Sequence, residues 1–141
     1  MALSNRMTMR SATVLIVDDD AGLRRALDST LGSMGYRVLT AGSPDTAYTL
    51  LRAEHVDAIL LDIGLPTMSG LALHIAITHE WPALEGKIAF ITGDADQDDV
   101  RAWLEHNPSA VFRKPFMVDQ ILNWLDAAVA VRQPRRRAAR G

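Results

Sequence analysis

The chain contains no cysteine, which excludes a disulfide framework, a thiolate zinc site and a cysteine nucleophile. Long apolar runs are missing too. Stretches such as Ala58 to Leu61 and Ala127 to Val131 fall far short of the roughly 20 residues a membrane helix needs. The leader Met1 to Ala12 has arginines but no continuous apolar stretch, so it does not read as a signal peptide, and a cytoplasmic location is the expectation. No internal repeat and no linker between two cores is visible. The four histidines, His55, His74, His79 and His106, lack metal-binding spacing and read as surface or helix-end residues. What remains is a chain of 141 residues, 48% apolar and 23% charged, the mix of an ordinary single globular domain. At this length a fold buries roughly 68–70% of its unfolded surface, enough for a core without disulfides or structural metal.

Acidic residues are absent from both ends. All 17 lie between Asp18 and Asp126, while five of the 15 basic residues fall in Arg132 to Gly141. Ten basic against 17 acidic residues leave residues 1–131 at -7 and the tail at +5, so the formal net charge of -2 hides two opposite parts. The tail RQPRRRAARG lacks large apolar residues and any period, and is expected to be disordered. The chain thus divides into a flexible leader (1–12), a folded unit (13–131) and a basic tail (132–141).

Val14 to Val17 is a short apolar run suited to a strand buried on both faces, and it stops at three aspartates. Leu23, Leu27, Thr30, Leu31 and Met34 then recur at helical spacing up to Gly35. Arg37 to Ala41 is a second strand, and Ser43 with Pro44 reads as the N-cap and first residue of a helix to about Glu54. Ala58 to Leu61 is a third strand, ending at Asp62. A loop containing Pro66 and Gly70 leads to a helix over Leu71 to His79, and Ile88 to Ile91 is a fourth strand ending at Thr92. Helix over Asp96 to His106, strand over Ala110 to Arg113 and helix over Met117 to Val131 complete the pattern. Five strands alternating with five helices, without hairpins, predict an α/β fold with a parallel sheet and right-handed crossovers. Sites in such sheets lie beyond the carboxyl ends of the strands. That rim collects Asp18, Asp19, Asp20, Asp62, Thr92 and Lys114.

Two carboxylates ~4 Å apart repel by about 4 kcal/mol at an effective dielectric of 20, so such a cluster needs a cation or a shared proton. All-oxygen ligands with room for water favour magnesium, which commonly completes its shell with phosphate oxygens. Lys114 and the Thr92 hydroxyl supply donors for a phosphoryl group, and a carboxylate can be its nucleophile. The residue types point to phosphoryl transfer.

The runs VLIVDDD (14–20), ILLDIGLPTMSG (59–70), FITGD (90–94) and FRKPF (112–116) resemble the receiver domain of bacterial two-component response regulators, and the likeness covers about Val14 to Leu125. It implies a flavodoxin-like (βα)5 three-layer sandwich with strand order 2-1-3-4-5. It further implies that Asp62 is the phosphoacceptor and that Mg2+ is bound by Asp18, Asp19, Asp62 and the Gly64 carbonyl. Thr92 and Lys114 match the phosphate-contacting pair, and Lys114–Pro115 matches a bond that is usually cis. The implied partners are a sensor histidine kinase or histidine phosphotransfer protein, an unidentified downstream protein, and a second copy across the 96–131 face. Such a domain is a signalling module that promotes its own phosphorylation and dephosphorylation. No DNA-binding segment is visible, so a stand-alone receiver is expected.

Many receivers carry an aromatic residue three positions before the lysine, whose rotation relays phosphorylation. Here that position is Val111, which cannot make the swing, and Phe112 beside it reads as core by strand alternation. Gly64 offers only backbone, and Gly93 leaves access to Asp62 open. Trp103 and Trp124 are expected to be partly buried. The stretch Asp94, Asp96, Asp98 and Asp99 reads as a solvated helix start, and Asp20 as a helix N-cap. A competing class is a phosphatase of the haloacid dehalogenase type, whose Asp-x-Asp motif Asp18 to Asp20 fits. It lacks an acidic pair after Lys114 and leaves Asp62 without a role. Two further alternatives are an interaction module that no longer accepts phosphate and a receiver cut from a hybrid histidine kinase.

Overall fold

A computed structural model describes residues 11–93 and 98–140. The strands are β1 (Thr13–Val17), β2 (Arg37–Ala41), β3 (Ala58–Asp62), β4 (Ile88–Thr92) and β5 (Val111–Arg113). The helices are α1 (Ala21–Ser33), α2 (Pro44–Ala53), α3 (Gly70–Glu80), α4 (Asp98–His106) and α5 (Val118–Arg140), with a 3-10 turn at Pro82–Leu84. All strand pairs are parallel, in the order β2-β1-β3-β4-β5. This is the sheet that the resemblance implies.

Alternation along the central strands divides the core into two layers. Leu15, Val17, Ile59, Leu61 and Phe90 pack with Ala47 and Leu51 of α2, Leu73 and Ile77 of α3 and Val100 of α4. Val14, Ile16, Ala58, Leu60 and Ala89 face the other way, onto Leu27 and Leu31 of α1 and Ile121 and Leu125 of α5. Helices on both faces explain why β1 and β3 are apolar at nearly every position. The caps follow the sequence. Asp20 accepts the N–H groups of Gly22 and Leu23, and Ser43 accepts that of Thr46 ahead of Pro44. Gly35, at φ 100°, takes the left-handed turn that ends α1.

The amino rim of the sheet is held together by a different acid. Asp57, buried, accepts the Thr13 N–H at 2.8 Å and pairs with His55 Nε2 at 3.0 Å, which ties the start of β3 to that of β1. Lys87, buried before β4, donates to the Ala128 carbonyl of α5 at 2.5 Å.

The last helix runs past the predicted end at Val131, and its backbone is helical to Arg140. The leader through Arg10 and the acids Asp94 and Asp96 lie outside the described residues. Among the described residues, no helix is long and apolar enough to cross a membrane.

Candidate functional site

Parallel register places Val17 beside Leu61 and Asp62 beside Ile91, so β1, β3 and β4 end at one level. Asp18 leaves β1 with its N–H on the Ala41 carbonyl at 3.1 Å. Its side chain is fully buried. Oδ1 accepts the Asp20 N–H at 2.8 Å, and Oδ2 lies 3.0 Å from Lys114 Nζ. Asp62, 5% exposed, accepts the Gly64 N–H on Oδ1 at 3.0 Å and presents Oδ2 to Lys114 Nζ at 3.7 Å. One oxygen each from Asp18, Asp19 and Asp62 lies within 4.8 Å of the others. Thr92 is buried, and its carbonyl accepts the Lys114 N–H at 2.8 Å, which holds the lysine against the end of β4. The Lys114–Pro115 bond is cis. These residues line one cleft of about 640 Å³ with Gly64, Gly93 and the loop from Leu65 to Ser69. A second cleft, about 600 Å³ between the turn at Met34 to Tyr36 and α5, contains none of them.

Burial holds the Asp62 carboxyl above its ordinary pKa; the Gly64 N–H opposes this, Asp18 adds to it, and Lys114 offsets part. Burial pushes Lys114 down, but its hydrogen bond with Asp18 and the charges of Asp18, Asp62 and Asp19 outweigh that and hold it above the usual lysine value. Three carboxylates thus share one ammonium, and the charge they leave uncompensated favours a further cation. The donors are all oxygen and converge from one side on an open cleft. That fits a hard divalent ion that keeps some of its water. Asp18, Asp19 and Asp62 form the acidic cluster that could hold such an ion.

The family model for the response regulator receiver domain matches residues 14–126. The chain belongs to that family. Receivers of this kind typically bind magnesium, and the family implies an exchange with a histidine kinase or a phosphotransfer partner. The chain is 32% identical over 126 residues to the hydrogenase transcriptional regulatory protein HoxA of Cupriavidus necator, covering 87% of this chain and 25% of that protein. It is 32% identical over 116 residues to the transcriptional regulatory protein KdpE of Mycobacterium tuberculosis, covering 82% and 50%. The receiver therefore spans half or less of these two relatives. Among solved structures, the signal receiver domain of an HD domain-containing protein from Pseudomonas fluorescens superposes with a TM-score of 0.78 at 24% identity, covering 86% of this chain and 96% of that one. The chemotaxis protein CheY4 of Vibrio cholerae superposes at 0.74 and 24%, covering 84% and 99%. The last two likenesses concern the fold.

The phosphatase alternative loses its second aspartate in this receiver. Asp20 Oδ1 is engaged in capping α1, at 2.9 Å from Gly22 N and 3.2 Å from Leu23 N. Val111 packs on the α2–α4 layer with Trp103, whereas Phe112 faces the α1–α5 layer and meets Trp124 edge to face at 6.5 Å. Phe112 is therefore on the wrong side of the sheet to replace the missing aromatic. Both tryptophans are half-buried, as expected.

His74 is a correction. Instead of lying at the surface, its ring packs between Phe90 at 5.4 Å and Trp103 at 5.2 Å, and its Nδ1 is buried with no hydrogen-bond partner among the described residues. Burial lowers its pKa, with Glu85 opposing. A base depressed in the folded state stabilises the fold above its unfolded pKa of 6.5 and loses that contribution as pH falls. Thermal unfolding should show a drop in Tm from about pH 7.5 to 5 that shrinks in His74→Leu. An equal drop in both proteins refutes the assignment.

Sequence reasoning took Gly70 only as a turn residue and passed over Arg24. A Cβ at Gly70 would stand 2.3 Å from the Asp62 carbonyl oxygen and 2.6 Å from Ile63 Cα, so the glycine is required by close approach of α3 to the end of β3. Its spacing from Asp62 belongs to the receiver motif, but the motif alone does not disclose the contact. Arg24 donates from Nη1 to the Asp18 carbonyl at 2.7 Å, and no local sequence signal announces that bond.

Proposed function

We propose that Asp62 accepts a phosphoryl group from the phosphohistidine of a sensor histidine kinase or histidine phosphotransfer protein, in a magnesium-dependent step. The observation that carries this reading is the convergence of Asp62 with Asp18 and Asp19 within 4.8 Å, with the Lys114 ammonium 3.7 Å from Asp62. A carboxylate oxygen of Asp62 attacks phosphorus, the P–N bond to the donor imidazole breaks, and the imidazole nitrogen leaves with the bonding electron pair. Lys114 and the Thr92 hydroxyl hold the phosphoryl oxygens. Slow attack of water on the acyl phosphate later returns Asp62 as a carboxylate and releases phosphate. Magnesium held by Asp18, Asp19, Asp62 and the Gly64 carbonyl supplies charge neutralisation.

The acyl phosphate carries about -1.5 to -2 charge where the carboxylate carried -1, and places it further out, on the phosphoryl oxygens. That charge draws in Thr92 and Lys114, and so moves the ends of β4 and β5, on which α4 and α5 depend. The face formed by residues 96–131 then offers a changed surface to a downstream protein or to a second copy. The domain works in the cytoplasm, where its kinase partners present their phosphohistidine.

Incubation with magnesium and a small phosphoramidate or acyl phosphate tests the acceptor. Wild type should gain one acid-stable, base-labile phosphoryl group, and Asp62→Asn none. Equal labelling of the two sinks the assignment, and steady turnover of a phosphomonoester that depends on Asp18 favours the phosphatase reading instead.

A further inference from the structure

One cation on the functional rim takes no part in the chemistry above. α1 has no acid in its first turn, and arginines follow at positions 24 and 25. This is the wrong sign for the positive end of a helix dipole. The position of Arg24 is explained by a contact outside its own helix. Its Nη1 donates to the carbonyl of Asp18 at 2.7 Å, and its half-buried side chain crosses Gly42, the residue after β2. A Cβ at position 42 would stand 2.9 Å from Arg24 Nη1 and 3.3 Å from Cζ, so the missing side chain leaves the place that the guanidinium occupies.

The carbonyl held by Arg24 belongs to the peptide plane that joins Asp18 to Asp19. A peptide plane turns as a unit, so fixing that oxygen fixes the Asp19 N and Cα and leaves only rotation about the N–Cα bond to direct its side chain. Asp18 has other anchors: the Ala41 carbonyl, the Asp20 N–H and Lys114. Asp19 is exposed, and packing does little to aim it.

We propose that Arg24, seated over Gly42, is a positioning residue for the divalent cation: it locks the 18–19 peptide so that Asp19 converges with Asp18 and Asp62. The inference rests on the magnesium reading of that cluster. It assigns a role in metal affinity to two residues that are outside the motif and outside the acidic cluster itself.

Calorimetric titration of Mg2+ into wild type, Arg24→Gln, Arg24→Lys and Gly42→Ala, with thermal unfolding in EDTA alongside, tests it. Arg24→Gln should weaken magnesium binding about tenfold, the scale seen when a group supporting a metal ligand is removed. Gly42→Ala keeps the arginine but takes away its place, and should weaken binding in the same direction. Arg24→Lys, whose ammonium can donate to the same carbonyl, should recover part of the loss. Phosphorylation of Arg24→Gln by a small phosphodonor should slow at low Mg2+ and return to the wild-type rate at saturation, which a damaged fold would not do. Magnesium binding by Arg24→Gln equal to that of wild type overturns the positioning role, as does a slow rate that persists at saturating Mg2+. A wild-type domain that binds no magnesium overturns the reading of the cluster itself, and the positioning role with it.

Discussion

Gly70→Ala should lower the stability of the domain by about 3 kcal/mol or more, the upper end of what overpacking costs, because both atoms it would strike are backbone. The added methyl would lie 2.3 Å from the Asp62 carbonyl oxygen and 2.6 Å from Ile63 Cα. Neither can rotate away as a side chain would. Relief requires α3 to lift from the end of β3, which breaks the 2.8 Å bond from Gly70 N–H to the Ile63 carbonyl and opens the layer around the buried Leu73 and Ile77. Alanine is the better helix former by at most ~1 kcal/mol, and less at the first helical position, so propensity does not rescue the variant. At about 4 °C per kcal/mol for a domain of this size, the expected fall in Tm is on the order of 10 °C. The rate of phosphorylation should fall with it, since the displaced backbone is that of Asp62. A Tm within about 2 °C of wild type would show that the close approach is not maintained in solution.

That contact also marks where sequence reading stopped. Gly70 reads as a turn residue beside Pro66, and its need for hydrogen in place of Cβ arises only when α3 is laid against β3. The central strands were legible because burial on both faces leaves nearly continuous apolar runs, as in β1 and β3. The caps at Asp20 and Ser43 were legible because each is a bond to N–H groups two or three residues on. The site was legible because strand ends in a parallel sheet share one rim, and the order of Asp18, Asp62, Thr92 and Lys114 placed them there. His74 was misread for the opposite reason. Its helix, GLALHIAITHE, is apolar around most of its circumference, so periodicity could not tell which face carries the histidine inward. Arg24 acts on a carbonyl six residues back and over a glycine just past β2. Neither partner lies at a spacing that helical or strand periodicity would reveal.

The acidic cluster leads to a reversal of stability order that a two-condition melting experiment can read. In the absence of metal, Asp62→Asn should be more stable than wild type. Asp62 faces two carboxylates with oxygens within 4.8 Å and one ammonium at 3.7 Å. At an effective dielectric of 20, each repulsion is about 3.5 kcal/mol and the attraction about 4.5, which leaves the charged form disfavoured by roughly 2–3 kcal/mol. The raised pKa of Asp62 has the same cause, after burial. For an acid raised in the folded state, the fold is favoured at low pH and loses that contribution as pH rises from the unfolded value of about 3.8 through the folded one. Neutralising the residue removes the loss, while the asparagine oxygen still accepts the Gly64 N–H. In EDTA at neutral pH, Asp62→Asn should therefore melt about 8 °C above wild type, at about 4 °C per kcal/mol. Magnesium inverts the order. Binding to the folded state alone adds about 4.1 kcal/mol when the free ion stands at a thousandfold its Kd, more than the deficit of wild type, and the variant largely forgoes that gain. Because the carboxylate that costs the metal-free fold this energy is also the proposed metal ligand, the two melting curves should cross as magnesium is added. Curves that keep one order throughout would remove the electrostatic basis for reading the cluster as a cation site.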